Sequence, residues 1–121
     1  MKRVVSISLA AAALLVSELF IPLRGTAALA PRRMEVTAKR FSFSPAELTV
    51  KKGEPVILVL KSVDVPHGLR FRELNVEVKA GKGGTSEVQF TPEVTGDFVG
   101  HCSVFCGTGH GTMTLTIHVA G

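Results

Sequence analysis

The chain has 121 residues, 45% of them apolar, with 14 basic and 10 acidic groups, two cysteines, and neither Trp nor Tyr. That length holds one domain and not comfortably two. A net charge of +4 with no Lys/Arg run longer than two residues argues against a nucleic-acid partner, and two cysteines are too few for a disulfide scaffold.

The apolar content is concentrated at the start. Lys2 and Arg3 precede a weakly polar run from Val4 to Val16, which Ser17 and Glu18 break. Such a run matches the apolar part of a signal peptide and falls short of the ~20 residues that span a bilayer. Ala28-Leu29-Ala30 is a small-x-small site for a peptidase, with Pro31 directly behind it. Residues 1–30 therefore read as a signal peptide, or, if retained, as an N-terminal anchor through residues 4–23. Either way the domain at 31–121 is expected outside the cytoplasm, in the periplasm or on the outer face of the membrane. It keeps 11 basic and 9 acidic groups, so its charge says little about a partner.

From residue 31 the texture is that of strands. Phe41-Ser-Phe43-Ser44 alternates and ends at Pro45, and Leu48-Thr-Val50 leads into a turn over Lys51-Lys-Gly53-Glu-Pro55. Val56 to Leu60 is an apolar run of strand length, expected to be covered on both faces. Val76-Glu-Val78, Val88-Gln-Phe90 and Phe98-Val99 follow, with Gly81 to Gly84 turning the chain between the first two. Met113 to Val119 closes with the cleanest alternation, its polar face carrying Thr114, Thr116 and His118. Short strands at this spacing with no helical stripe predict an all-β Greek-key sandwich or barrel. Arg32-Arg33 and Lys51-Lys52 read as solvated charges at a flexible start and a turn.

The chemistry gathers in one loop, Gly100-His-Cys102-Ser-Val-Phe-Cys106-Gly-Thr-Gly-His110-Gly-Thr-Met113. Thiolate, thioether and imidazole together favour copper, with zinc as the main competitor. Glycines 107, 109 and 111 allow the backbone to close round a small object. A second histidine lies in Asp64-Val-Pro-His67-Gly68, just past the run 56–60. In a sandwich the ends of separate strands collect at one pole, so His67 can meet the late loop. No general base, nucleophile or substrate pocket is apparent; Ser103 and Asp97 suggest no triad.

The string Cys-x-x-x-Cys-Gly-x-x-His-x-x-Met after an upstream His resembles the binuclear copper-A site of cytochrome c oxidase subunit II and nitrous oxide reductase. The stretch from Phe41 to Val119 also resembles a small cupredoxin. The resemblance implies two copper ions bridged by the sulfurs of Cys102 and Cys106. It gives each copper one terminal imidazole, from His67 and His110, and adds the Met113 thioether and the Val104 backbone carbonyl. Oxidase members commonly carry Glu where Val104 stands, a change that a backbone ligand survives. It further implies an electron carrier serving a redox partner, a cytochrome or a membrane oxidase or reductase. The absence of Trp and the scarcity of acidic groups weigh against a basic cytochrome as that partner.

Other readings of the same residues remain open. A mononuclear blue copper site with one ion would use His67, Cys106, His110 and Met113 and leave Cys102 idle. A zinc site of two sulfurs and two imidazoles would leave Met113 idle. A copper-storage or delivery protein for oxidase assembly would be expected to carry Met-rich or His-rich tracts, and none exists here. Cys102 and Cys106 could also close a local disulfide. His101 adjoins Cys102 but matches no ligand of the family.

Overall fold

Alternation of apolar and polar residues needs two surfaces, one facing a core and one facing water, and a pair of packed sheets supplies both. In the computed structural model, which describes residues 30–121, nine strands and one 3-10 turn follow one another. The strands are β1 (Arg32–Lys39), β2 (Ser42–Ser44), β3 (Glu47–Lys51), β4 (Val56–Ser62), β5 (His67–Phe71), β6 (Val76–Ala80), β7 (Thr85–Phe90), β8 (Gly96–His101) and β9 (Thr114–Ala120). The turn, His110–Thr112, lies between the last two. The expected leader lies outside the described residues, apart from its last position, Ala30. No helix among the described residues is long and apolar enough to cross a membrane.

One sheet has the order β2-β1-β4-β7 and the other β3-β9-β8-β5-β6. Their inner faces bury Val36, Leu58, Leu60, Leu69, Phe71, Leu115 and Ile117, each at most 1% exposed. Burial of side chains of this size stabilises the fold by roughly 1.5–3 kcal/mol each. The all-β sandwich read from the sequence is the observed architecture. The run 56–60 lies in β4, flanked by β1 and β7, and is buried except for Ile57, which is partly accessible.

Two strands differ from the sequence reading. Arg32-Arg33 do not form a flexible start: they open β1, which runs parallel to β4 from Arg32 opposite Val56 to Ala38 opposite Ser62. Arg33 also forms an ion pair with Glu87 on β7 at 2.8 Å. His67 opens a strand that the sequence does not mark, because β5 pairs with β6 from His67 opposite Ala80 to Phe71 opposite Val76. The sandwich is mixed rather than antiparallel throughout, since β3 runs parallel to β9 as well.

This topology places the site. β8 and β9 form an antiparallel pair whose last register position is His101 opposite Thr114. One step further the Cys102 amide donates to the Met113 carbonyl at 3.1 Å, so these two residues form the neck of the loop between the strands. β5 lies on the other side of β8, with Arg70 opposite His101, and the Ser103 amide donates to the Gly68 carbonyl at 3.3 Å. His67, one residue before Gly68, is thereby carried to the neck.

Candidate metal centre

Each donor owes its position to a separate piece of local structure. Cys102 and Met113 are set by the neck, and both are buried, at 4% and 0% exposure. Cys106 lies deep in the loop, where its carbonyl accepts a hydrogen bond from Arg40 Nε at 2.9 Å. His110 opens the 3-10 turn, whose amides at Thr112 and Met113 donate back to Gly109 and His110. The ring of Phe41 lies over Gly107 and Gly109. A Cβ on Gly107 would come within 2.9 Å of that ring, and Gly107 also holds a φ of 136° that favours glycine.

The side chains converge. Cys102 Sγ lies 3.7 Å from Cys106 Sγ, and both thiols are free. Around Cys102 are His67 Nδ1 at 3.8 Å and the Val104 carbonyl at 3.2 Å. Around Cys106 are His110 Nδ1 at 3.7 Å and Met113 Sδ at 3.6 Å. The ligand atoms of His67, Cys102 and Cys106 all fall within 4.8 Å of one another. All six residues named from the sequence therefore meet at one end of the sandwich. They divide into two groups of donors, one about each sulfur.

The protonation pattern follows from the surroundings. His67 is wholly buried, and its Nε2 lies 2.8 Å from Asp64 Oδ1. The Asp64 carboxyl is held down from 3.8 to about 2, chiefly by the Arg40 amide that donates to its Oδ2 at 2.8 Å, with His67 and the Val65 amide adding to the effect. An ionised carboxylate only accepts, so Nε2 carries hydrogen, and Nδ1 is the nitrogen that faces Cys102 and is left for a metal. Burial pushes the Cys106 thiol up from 9.0 to about 11, and the neighbouring Cys102 thiol adds to the rise. A thiol so placed gives up its proton when a cation arrives to take the proton's place. Two thiols, a thioether and two imidazoles, with all but the His110 ring buried, are a soft donor set, and they suit copper.

Sequence reasoning missed three contributors. Asp64 is legible only as a carboxylate three residues before a histidine. Arg40 and Phe41 reach the loop from 66 residues away in sequence, and nothing local marks them. His101 is exposed at the end of β8 and contributes no atom to the cluster. His118 is half-exposed on β9, as its polar face predicts. It is also engaged, with Nδ1 2.6 Å from Asp97 Oδ1 and Nε2 3.6 Å from Glu47 Oε1.

Comparison with known proteins agrees with this geometry. The family model of the cupredoxin-like domain matches residues 6–115. Cytochrome c oxidase subunit 2 of Thermus thermophilus is 32% identical over 84 residues, which cover 69% of this chain and 62% of that protein. The chain thus spans less than two thirds of that relative's length. A heme-copper terminal oxidase dimer solved by cryo-EM superposes with a TM-score of 0.66 at 28% identity, covering 75% of this chain and 66% of the other. The periplasmic domain of subunit II of cytochrome oxidase from Bradyrhizobium japonicum has the same fold, with a TM-score of 0.68 at 22% identity over 75% of this chain and 85% of that one. The His67, Cys102 and Cys106 cluster is of the kind a copper-A-like site requires, and with its sheets, its loop and its relatives taken together the chain belongs to the cupredoxin-like domain family.

Proposed function

We propose that the chain is an exported electron-transfer protein with a binuclear copper-A-like centre, serving a respiratory oxidase or reductase. The observation that carries this reading is the division of donors about two adjacent sulfurs, His67 with the Val104 carbonyl beside Cys102 and His110 with Met113 beside Cys106. A single ion on His67, Cys106, His110 and Met113 would leave Cys102 and the Val104 carbonyl without a task. The names of the oxidase relatives support the respiratory role, and the apolar leader at residues 1–30 supports export to the periplasm or the outer membrane face.

Copper held by these six residues would supply one-electron redox chemistry. The protein's own contribution is to keep the donors in place. Asp64 fixes the His67 ring, Arg40 and Phe41 brace the Cys106 segment, and the Cys102–Met113 neck ties both ends of the loop to the sheet. Donors that do not move between oxidation states keep reorganisation small, and the buried surroundings help set the potential.

Copper loading of the reduced protein tests the reading. Two copper ions per chain, with an electron spin resonance pattern from an unpaired electron shared by two nuclei, are expected. Cys102→Ser should abolish that pattern. One copper with a single-nucleus pattern that survives Cys102→Ser would instead establish the mononuclear blue copper site on His67, Cys106, His110 and Met113.

A further inference from the structure

Beside the metal centre lies an open cleft of about 490 Å³, lined by Arg70, Arg72, His101, Cys102, Ser103 and His110. It holds two guanidinium groups and two imidazoles, and no acidic residue lines it. Glu77 reaches the Arg70 Nε at 3.5 Å, but Arg72 forms no ion pair among the described residues. Arginine stays charged at any physiological pH, and its planar fork matches a carboxylate. Next to the cleft stands Phe105, 78% exposed, with its ring centroid 5.7 Å from that of His110. Phe105 lies in sequence between the two cysteines of the centre, and an exposed aromatic ring together with a cleft that carries arginines is the composition of a protein contact site.

We infer that this cleft is the docking point for a redox partner protein with an acidic surface. Carboxylates of the partner seat on Arg70 and Arg72, while Phe105 packs against its apolar neighbours. A free anion would satisfy the arginines and leave Phe105 bare, so the two features together favour a protein. The inference rests on the electron-transfer reading for the identity of the partner, but the surface itself is testable without it.

The test uses the full chain, once loaded with copper(I) and once metal-free, and follows its arginine side-chain and histidine ring signals by NMR. The probe is a short peptide of glutamates around a central leucine, with a tetralysine peptide, free glutamate and inorganic phosphate for comparison. The acidic peptide is expected to shift the signals of Arg70, Arg72, His101 and His110 in both forms, and to lose its effect as salt is raised. Arg72→Gln, which removes no ion pair, should weaken binding several-fold, and Arg70→Glu with Arg72→Glu by at least about tenfold. Phe105→Ser should weaken the peptide but not phosphate. Shifts absent from these residues, or equal shifts with tetralysine, would overturn the docking site. Phosphate or free glutamate binding as tightly as the peptide would also overturn it, in favour of a small-anion site. Because the metal-free chain gives the same readout, a wrong copper count leaves the result legible.

Discussion

A histidine with no solvent exposure has two ring nitrogens to satisfy, and the loop before β5 satisfies one of them. Asp64 accepts a hydrogen bond from the Nε2–H of His67 and is itself fixed by the amides of Arg40 and Val65. The residue thus acts through His67, fixing the tautomer that leaves Nδ1 free for a metal. Partners of this kind are typically worth 10–100-fold in metal affinity. In Asp64→Asn a single oxygen must serve the imidazole and cannot also accept from the Arg40 amide. Copper(I) affinity, measured by competition with a chelator, should fall by roughly tenfold, with the circular dichroism of the sheets unchanged. Affinity equal to that of the parent protein would show that burial alone orients His67.

At the scale of elements, legibility tracked how much of the pairing information is local. β9 and β4 announce themselves, one by strict alternation and the other by an unbroken apolar run, because each buries a face or two by its own residues. β1 was hidden because its inward positions, Val36 and Ala38, are small and sit among charges. Its seven-residue parallel pairing with β4 is a long-range feature. β5 begins His-Gly, neither a strand former, and is made a strand by β6 on one side and β8 on the other. The same division holds in the centre: the loop residues share one short string, whereas Arg40 and Phe41 come from the β1–β2 corner. His118 illustrates an element-level coupling that alternation cannot show, since it joins β9 to Asp97 on β8 and Glu47 on β3. Its pKa is raised above 6.5, first by the Asp97 hydrogen bond. A raised folded-state pKa gives stabilisation that is complete below the unfolded value and is lost as pH climbs through the folded one. The thermal midpoint of the parent protein should therefore exceed that of His118→Gln near pH 6, and the gap should close by about pH 9. A gap that stays constant across that range would mean that His118 contributes by packing and not by charge.

At the scale of the molecule, the donors come from parts of the chain that only folding brings together. His67 begins β5, Cys102 follows β8, Met113 precedes β9, and Cys106 and His110 lie in the loop braced by Arg40 and Phe41. The unfolded chain keeps the string Cys102 to Met113 but loses His67 and the burial of the two sulfurs, so copper is expected to bind the native state far better. Binding of that kind adds stability by mass action, about 2.7 kcal/mol when free ligand exceeds its dissociation constant a hundredfold. For a domain of this size each kcal/mol raises the unfolding temperature by about 4–8 °C. Copper(I) loading should thus raise the calorimetric midpoint by more than about 10 °C, and a chelator should reverse it. The double variant Cys102→Ser, Cys106→Ser leaves every strand residue in place but removes both sulfurs about which the donors divide. Its midpoint should not respond to copper. A rise that persists in that variant would place the stabilising metal elsewhere on the domain and remove the link between the loop and the whole fold.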